Sequence, residues 1–277
     1  MNTKTLLALL LAVAALTVGC GGDFDPPSRI NSLRPLALRA TPPYLDPAPT
    51  AKTKLDALVV GATAGAELCH AWGLCAFPVN RNGTYSCAAP SLLVPLSTGP
   101  TAEINASHLA QLAAAAAKLA GSRGPNGQQV ERRAPSTAFA GGLTVQFAVA
   151  EKSAMGGECP SDIRAFLDVG CTDPQKCVRG QKTLRLRSEG PLNPEITELD
   201  VRWQDGLANL TPSWNSSSET ALFSWFTTAG VFAKERSFDD VPANALSLGD
   251  ATRADVWVVV RDGQGGVGWA AAAVLKQ

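Results

Sequence analysis

Cysteine is the residue type that carries the clearest chemical information in this chain of 277 residues. Seven cysteines are present, and six of them form two groups of three, at residues 69–87 and 159–177. Cysteines pair as disulfides in an oxidising compartment, or they bind metal ions as thiolates. If all six pair with one another, the odd number in each group requires at least one disulfide between the groups. The six disulfide candidates are Cys69, Cys75, Cys87, Cys159, Cys171 and Cys177.

A zinc site is the alternative use of the first group, because His70 directly follows Cys69, and Cys75 and Cys87 lie nearby. This spacing matches no common zinc motif. The N-terminal features described below also indicate export, and an exported protein favours disulfides over thiolate ligands. We therefore expect disulfides and no metal site.

Two histidines, His70 and His108, are the only candidates for the base of a Ser-His-Asp triad. The sequence has no G-x-S-x-G segment, P-loop or dinucleotide-binding motif that would present a nucleophile or hold a cofactor. The adjacent Asp239 and Asp240 would point to opposite faces of an extended strand, which argues against a shared catalytic role. Asp262 lies in a glycine-rich segment, so we interpret it as a turn residue and not as a calcium ligand. The sequence predicts a protein that is not an enzyme and has no cofactor, with an unrecognised extracytoplasmic hydrolase as the alternative.

The first nineteen residues have the composition of a secretory signal peptide. Lys4 precedes an apolar run from Leu6 to Val18, which is shorter than the ~20 residues of a membrane-spanning helix. Residues 17–20, Thr-Val-Gly-Cys, resemble the lipobox of bacterial lipoproteins, with Thr17 where leucine is usual. An ordinary signal peptide would instead need an A-x-A-like cleavage site, which residues 17–19 match poorly.

The resemblance to a lipobox implies that residues 1–19 are removed and that Cys20 carries the lipid. Gly21 follows the cysteine, and in the sorting rule of enteric bacteria this favours the outer membrane over the inner one. Residues 20–29 are rich in glycine and proline, so we expect them to form a lipidated tether. The expected partner is the membrane, contacted through the lipid on Cys20, and the expected location is the bacterial cell envelope.

Charge and composition argue against a nucleic-acid partner. The 24 lysines and arginines equal the 24 aspartates and glutamates, and no segment is strongly basic. Hydrophobic residues make up 45% of the chain, which is enough to build a substantial core. No second apolar run reaches membrane-spanning length, so the lipid is the only membrane attachment that we expect.

Alternating apolar residues and glycine- or proline-rich turns predict a mainly β protein with two domains in tandem. We expect immunoglobulin-like β-sandwiches at residues 30–190 and 191–277, divided at the proline-rich segment 190–194. Trp72 and Trp225 each lie in the middle of a predicted strand, as does the buried tryptophan of such sandwiches.

Two insertions are expected in the first domain. An alanine-rich helix spans about residues 105–120, capped by Asn105 or Ser107, and a cysteine-rich segment covers residues 155–178. Apart from this helix, the strand pattern lapses from residue 78 to residue 142. We expect the last strand of the domain at residues 184–186.

Both ends of the mature chain carry a family resemblance. Residues 32–43, SLRPLALRATPP, and residues 257–269, WVVVRDGQGGVGW, resemble segments of surface lipoproteins that are abundant in myxobacteria. The resemblance implies tandem Ig-like or PKD-like domains on a lipid anchor, in proteins of mostly unassigned function. Together these features predict a non-catalytic, lipid-anchored envelope protein that serves as a binding or scaffold module for protein or glycan.

Overall fold

The computed structural model describes residues 27–81, 84–120, 142–168, 173–216 and 220–277, and it is mainly β. The first domain contains nine strands and two helices within the described residues. They are β1 (Arg34–Thr41), β2 (Lys52–Val60), β3 (Leu68–Cys75), β4 (Pro78–Arg81), β5 (Thr84–Cys87), β6 (Leu93–Ser97), β7 (Thr101–Asn105), α1 (Ala106–Ala120), β8 (Leu143–Glu151), α2 (Ile163–Asp168) and β9 (Cys177–Leu184).

The first domain is a sandwich of two antiparallel sheets, ordered β1-β2-β7 and β6-β3-β8-β9. Trp72 in β3 lies fully buried between them, opposite Phe147 in β8, with 4.4 Å between the ring centroids. The indole N–H of Trp72 donates to the carbonyl of Gly99 at 3.0 Å, so this buried polar group is satisfied. The prediction that Trp72 is a core residue is confirmed.

The expectation that the strand pattern lapses between residues 78 and 142 is wrong. This stretch contains the hairpin of β4 and β5 and the two edge strands β6 and β7. These strands have only four or five residues, too few for a clear alternation of side chains. The last strand also begins earlier than expected, at Cys177 instead of residue 184.

Helix α1 begins where the sequence predicts. The Asn105 side chain accepts hydrogen bonds from the backbone N–H groups of Ser107 at 3.0 Å and His108 at 3.3 Å, and so caps the first turn. Leu112 is fully buried against the core of the first domain, and Leu109 is half-buried beside it. The loop expected at residues 121–141 lies outside the described residues.

The second domain contains eight strands within the described residues and is a second sandwich. Its two antiparallel sheets are ordered β10-β11-β15-β13 and β14-β12-β16-β17. The strands are β10 (Glu195–Gln204), β11 (Leu207–Asn215), β12 (Leu222–Thr227), β13 (Val231–Phe232), β14 (Arg236–Phe238), β15 (Asn244–Ser247), β16 (Arg253–Arg261) and β17 (Val267–Leu275). The chain is therefore two immunoglobulin-like β-sandwiches in tandem, the first with helical and cysteine-rich insertions.

Trp225 occupies the core of the second domain. Its side chain is fully buried, and its ring lies 5.5 Å from that of Phe232. The indole N–H donates to the hydroxyl of Ser237 at 2.8 Å, and that hydroxyl donates to the carbonyl of Pro242. The prediction that Trp225 is a core residue is confirmed, and a polar chain links it to the edge strand β14.

The two domains share a third apolar cluster, which we call the interdomain cluster. It joins outward-facing residues of β1 and β2 to those of β16 and β17, so the outer faces of two sheets pack on each other. Arg39 of β1 lies over the Trp269 ring of β17 at 4.1 Å and also pairs with Asp56 at 2.9 Å. The buried members of the interdomain cluster are Ile30, Leu36, Ala37, Val60, Val259 and Val267.

The N-terminal segment is anchored to the second domain before it enters the first. The backbone N–H of Thr227 donates to Ser28 at 2.9 Å, and that of Ile30 donates to Thr227 at 2.8 Å. Arg29 forms a parallel bridge with Thr227, and its guanidinium donates to Gly230. The expected tether over residues 20–29 is thus corrected at its end, because residues 28 and 29 pair with β12 instead of remaining solvated.

Candidate functional site

The cysteines of the described residues are joined within and between the two sequence groups. Cys69 is bonded to Cys159 across 90 residues, and Cys75 is bonded to Cys87 across 12. Cys177 is disulfide-bonded as well, whereas Cys171 lies outside the described residues. The bridge from Cys69 to Cys159 is the link between groups that the odd cysteine counts require.

These bridges hold the cysteine-rich insertion against the outer face of a sheet. Cys69 and Cys75 alternate with Trp72 along β3, so they lie on the face opposite the core. Phe166 and Leu167 of α2 are buried on that face, and the open space above Gly73 admits the Leu167 side chain. The disulfides therefore have a structural role, and the zinc reading of Cys69, Cys75 and Cys87 does not apply.

The two histidines do not come together. His70 lies on the core face of β3, 6.1 Å from the Phe147 ring, and burial lowers its pKa. His108 lies on the first turn of α1, where its Nδ1 accepts from the backbone of Asn105 and burial lowers its pKa. Asp239 and Asp240 are exposed. Within the described residues, no group of three or more histidine, cysteine or acidic side chains is placed to hold a metal ion.

A cleft of about 360 Å³ between the two domains is the candidate site. We call it the interdomain cleft. One wall is the outer end of β1 and the adjoining edge strand β9, and the other wall is the hairpin turn that joins β16 to β17. The lining residues that matter for its chemistry are Leu36, Leu38, Gly180, Lys182, Arg261 and Val267.

Lys182 is the most perturbed charged group of the interdomain cleft. It is half-buried on β9, and its ammonium donates a short hydrogen bond to the carbonyl of Gly265 across the domain boundary. Burial lowers its pKa from 10.5 to about 8; attraction to Asp262 opposes this effect, and repulsion by Arg261 adds to it. A desolvated ammonium at this position is costly, because the attraction to Asp262 offsets its burial only in part.

Arg261 enters the interdomain cleft from the last residue of β16. Its guanidinium donates to the Ser224 hydroxyl at 3.2 Å and to the Leu36 carbonyl at 2.9 Å, so it also bridges the domains. Burial lowers its pKa, and the nearby Arg236 lowers it further. Guanidinium groups carry five donors, so these two bonds leave capacity for a further acceptor.

Asp262 shapes the turn that forms the second wall. Its carboxylate is fully buried, and Oδ1 accepts from the backbone N–H groups of Gln264 and Gly266, both at 2.8 Å. Gly263 and Gly265 have φ values of 70° and 107°, which glycine adopts without strain. Asp262 is therefore a turn residue, as its sequence context predicts.

Sequence reasoning did not find the interdomain cleft, because Lys182 and Arg261 come from different domains. One signal was available in the sequence: residues 256–260 of β16, Val-Trp-Val-Val-Val, are all apolar. In the structure all of them except Trp257 are buried. A strand that is apolar on both faces needs a second layer on its outer side. That pattern could have predicted a domain interface, although not the residues at its rim.

Cys20, the expected site of the lipid, lies outside the described residues. Within those residues, no helix is long and apolar enough to cross a membrane.

No family model and no curated protein matches this chain. Among solved structures, the chain is similar to the fibronectin(III)-like modules of Clostridium thermocellum CbhA, at 8% sequence identity and a TM-score of 0.24. That match covers 87% of this chain and 94% of the other.

Proposed function

We propose that this protein is a non-catalytic, lipid-anchored module of the bacterial cell envelope, on the outer membrane, that binds a protein or glycan partner. The observation that carries the proposal is the interdomain cleft, where the packing of the two sandwiches brings Lys182 and Arg261 into one lining. Ligand sites are commonly concave and lie at domain boundaries.

The disulfides support an extracytoplasmic location. Bonds such as Cys69–Cys159 and Cys75–Cys87 form and persist in oxidising compartments and are rare in the cytosol of most organisms. The N-terminal signal sequence and Cys20 supply the route to that location.

The anchored N-terminus limits the distance between the fold and the membrane. Seven peptide units separate Cys20 from Pro27, the first described residue, and each spans at most ~3.6 Å. A lipid on Cys20 would therefore hold the second domain within about 25 Å of the bilayer. Thr227 pairs with Val256, whereas the interdomain cleft adjoins Arg261, about 17 Å further along β16. The tether and the cleft thus lie toward opposite ends of the same strand.

Metabolic labelling with an acyl probe tests the anchor. We expect the wild type and the control Gly22→Ala to be labelled and recovered with membranes, and Cys20→Ser to be unlabelled. Equal labelling of the wild type and Cys20→Ser would refute lipidation at this residue.

Capture from envelope extract tests the binding role. The immobilised mature chain should retain a protein or glycan, and it should retain less when Lys182 is replaced by methionine. The exposed Lys234 offers a matched control, because Lys234→Met removes the same charge at a residue that does not line the cleft. Absence of any captured component at low salt would argue against a binding module.

A further inference from the structure

We infer that the interdomain cleft binds the oxyanion group of a small ligand, a carboxylate or a phosphate, with Lys182 and Arg261 as the contacting cations. This inference rests on the proposed binding role of the cleft and adds a small-molecule ligand to the protein or glycan partner proposed there. Three basic residues line the cleft, and none of the described residues that line it is acidic. Arg179 turns its guanidinium away, toward the carbonyl of Phe166, so Lys182 and Arg261 are the two cations that face the cleft.

Unused hydrogen-bond donors are the second argument. An ammonium has three donors, and Lys182 uses one of them for the Gly265 carbonyl. Arg261 has five donors and binds Ser224 and Leu36 with two of its nitrogens. Both partners across the domain boundary are carbonyls, which neutralise no charge. An oxyanion in the cleft would satisfy the remaining donors and compensate two partly desolvated charges.

The nearby Asp262 supplies one negative charge against the two cations. Its Oδ1 is held by the amides of the hairpin turn, and the carboxylate is fully buried beneath Gly266. It attracts Lys182 without preventing the fall of the lysine pKa to about 8. Two cations, Lys182 and Arg261, thus stand against this one nearby carboxylate, and a net positive charge remains at the cleft with Asp262 in place.

The shape of the cleft limits the ligand to a compact body. Leu36, Leu38 and Val267 give an apolar floor, and a volume of about 360 Å³ is near the lower end for small-molecule sites. Gly180 keeps this space open, because a Cβ there would lie 3.3 Å from Leu38 Cδ1. The arrangement suits an anionic head with a small apolar portion, such as a short-chain carboxylate or a simple phosphate ester.

Titration of the purified full chain with inorganic phosphate and, separately, with propionate tests the inference. Binding is measured by isothermal calorimetry at pH 7 in constant chloride, with Lys182→Met and the control Lys234→Met in parallel. We expect saturable binding to the wild type and to Lys234→Met, and a loss of affinity of about tenfold or more in Lys182→Met. Propionate binding alone would assign a carboxylate ligand, and phosphate binding alone would assign a phosphate ligand.

NMR of lysine labelled with ¹³C at Cε gives a second measurement that needs no variant. Because a bound anion favours the charged ammonium, saturating ligand should raise the pKa of Lys182, and the Lys234 signal at pH 7 should not move when ligand is added. Absence of saturable binding of either anion, or equal affinities in the wild type and Lys182→Met, would overturn the inference. The capture experiment on envelope extract would stand independently of that result.

Discussion

Replacing Lys182 by methionine should change how the stability of this protein depends on pH. Methionine keeps an unbranched apolar stem of similar length and removes the ammonium. In the wild type, burial lowers the pKa of Lys182 from 10.5 to about 8. A lysine whose folded-state pKa lies below its unfolded value destabilises the fold in its charged form. This cost is complete below pH 8 and is relieved as the pH rises toward 10.5.

The size of the effect follows from the pKa difference. A fall from 10.5 to about 8 corresponds to at most about 3 kcal/mol at neutral pH. Lys182 is half-buried, so solvent screening reduces this figure, and we expect roughly 1–2 kcal/mol. Loss of the hydrogen bond to Gly265 works in the opposite direction by about 1–2 kcal/mol. At pH 7 these two contributions are equal and opposite, so the variant should be about as stable as the wild type.

The pH slope separates these two contributions. Urea unfolding followed by tryptophan fluorescence should be measured from pH 7 to 9.5 in buffers free of phosphate and carboxylate. The cost is relieved between pH 8 and 10.5, so by pH 9.5 about three-fifths of it is removed. Relative to Lys182→Met, the wild type should gain about 1 kcal/mol across this range, and Lys234→Met should follow the wild type. Parallel curves for the wild type and Lys182→Met would refute the conclusion that Lys182 is desolvated.

Three further outcomes follow from the fold. Replacing Cys69 and Cys159 together by alanine should lower the free energy of unfolding by up to about 4–5 kcal/mol, because the bridge closes a long loop in the unfolded chain. Urea titration measures this change, and an unchanged free energy would mean that the bridge does not restrict the unfolded chain. Trp225→Ala should lower it by about 3–5 kcal/mol by leaving a cavity, and an unchanged midpoint would contradict its burial. Glu151 accepts a hydrogen bond from the backbone N–H of Thr63, and this bond lowers the pKa of Glu151. Glu151→Ala should therefore lower the free energy of unfolding above pH 4.5, and the variant should lose less of that free energy than the wild type when the pH falls below 4.5. Equal losses in the two proteins, measured by urea titration at each pH, would count against this bond.

The features that the sequence predicted correctly are those that depend on residues close together in the chain. Alternating strands of six or more residues, such as β8 and β12, were recognised, and Phe147 and Trp225 point into the two cores. The odd number of cysteines in each group required a long-range bridge without naming its ends, and the pairing of Cys69 with Cys159 needs three-dimensional proximity. Short edge strands such as β6, which contains Pro95, carry too few residues for periodicity to show.

The candidate site could not be predicted for a different reason. Lys182 belongs to the first domain and Arg261 to the second. They line one cleft only because a sheet of each domain packs its outer face on the other. No spacing rule within one element relates such residues. The turn around Asp262 was recognisable from its glycines, whereas its use as a cleft wall depends on the docking of the first domain.

The pairing of the N-terminal segment with β12 also determines how the protein responds to mechanical load. A pull on a membrane-attached N-terminus is first resisted by the hydrogen bonds that Ser28 and Ile30 make with Thr227. Tension therefore enters the second domain directly, and the first domain, which follows in the chain, is shielded while these bonds hold. A partner bound at the interdomain cleft would pull on both domains from the opposite side. With the anchor and partner that we propose, load would pass between partner and bilayer through both domains, and the bridge between Arg29 and Thr227 would be among the first contacts to carry it.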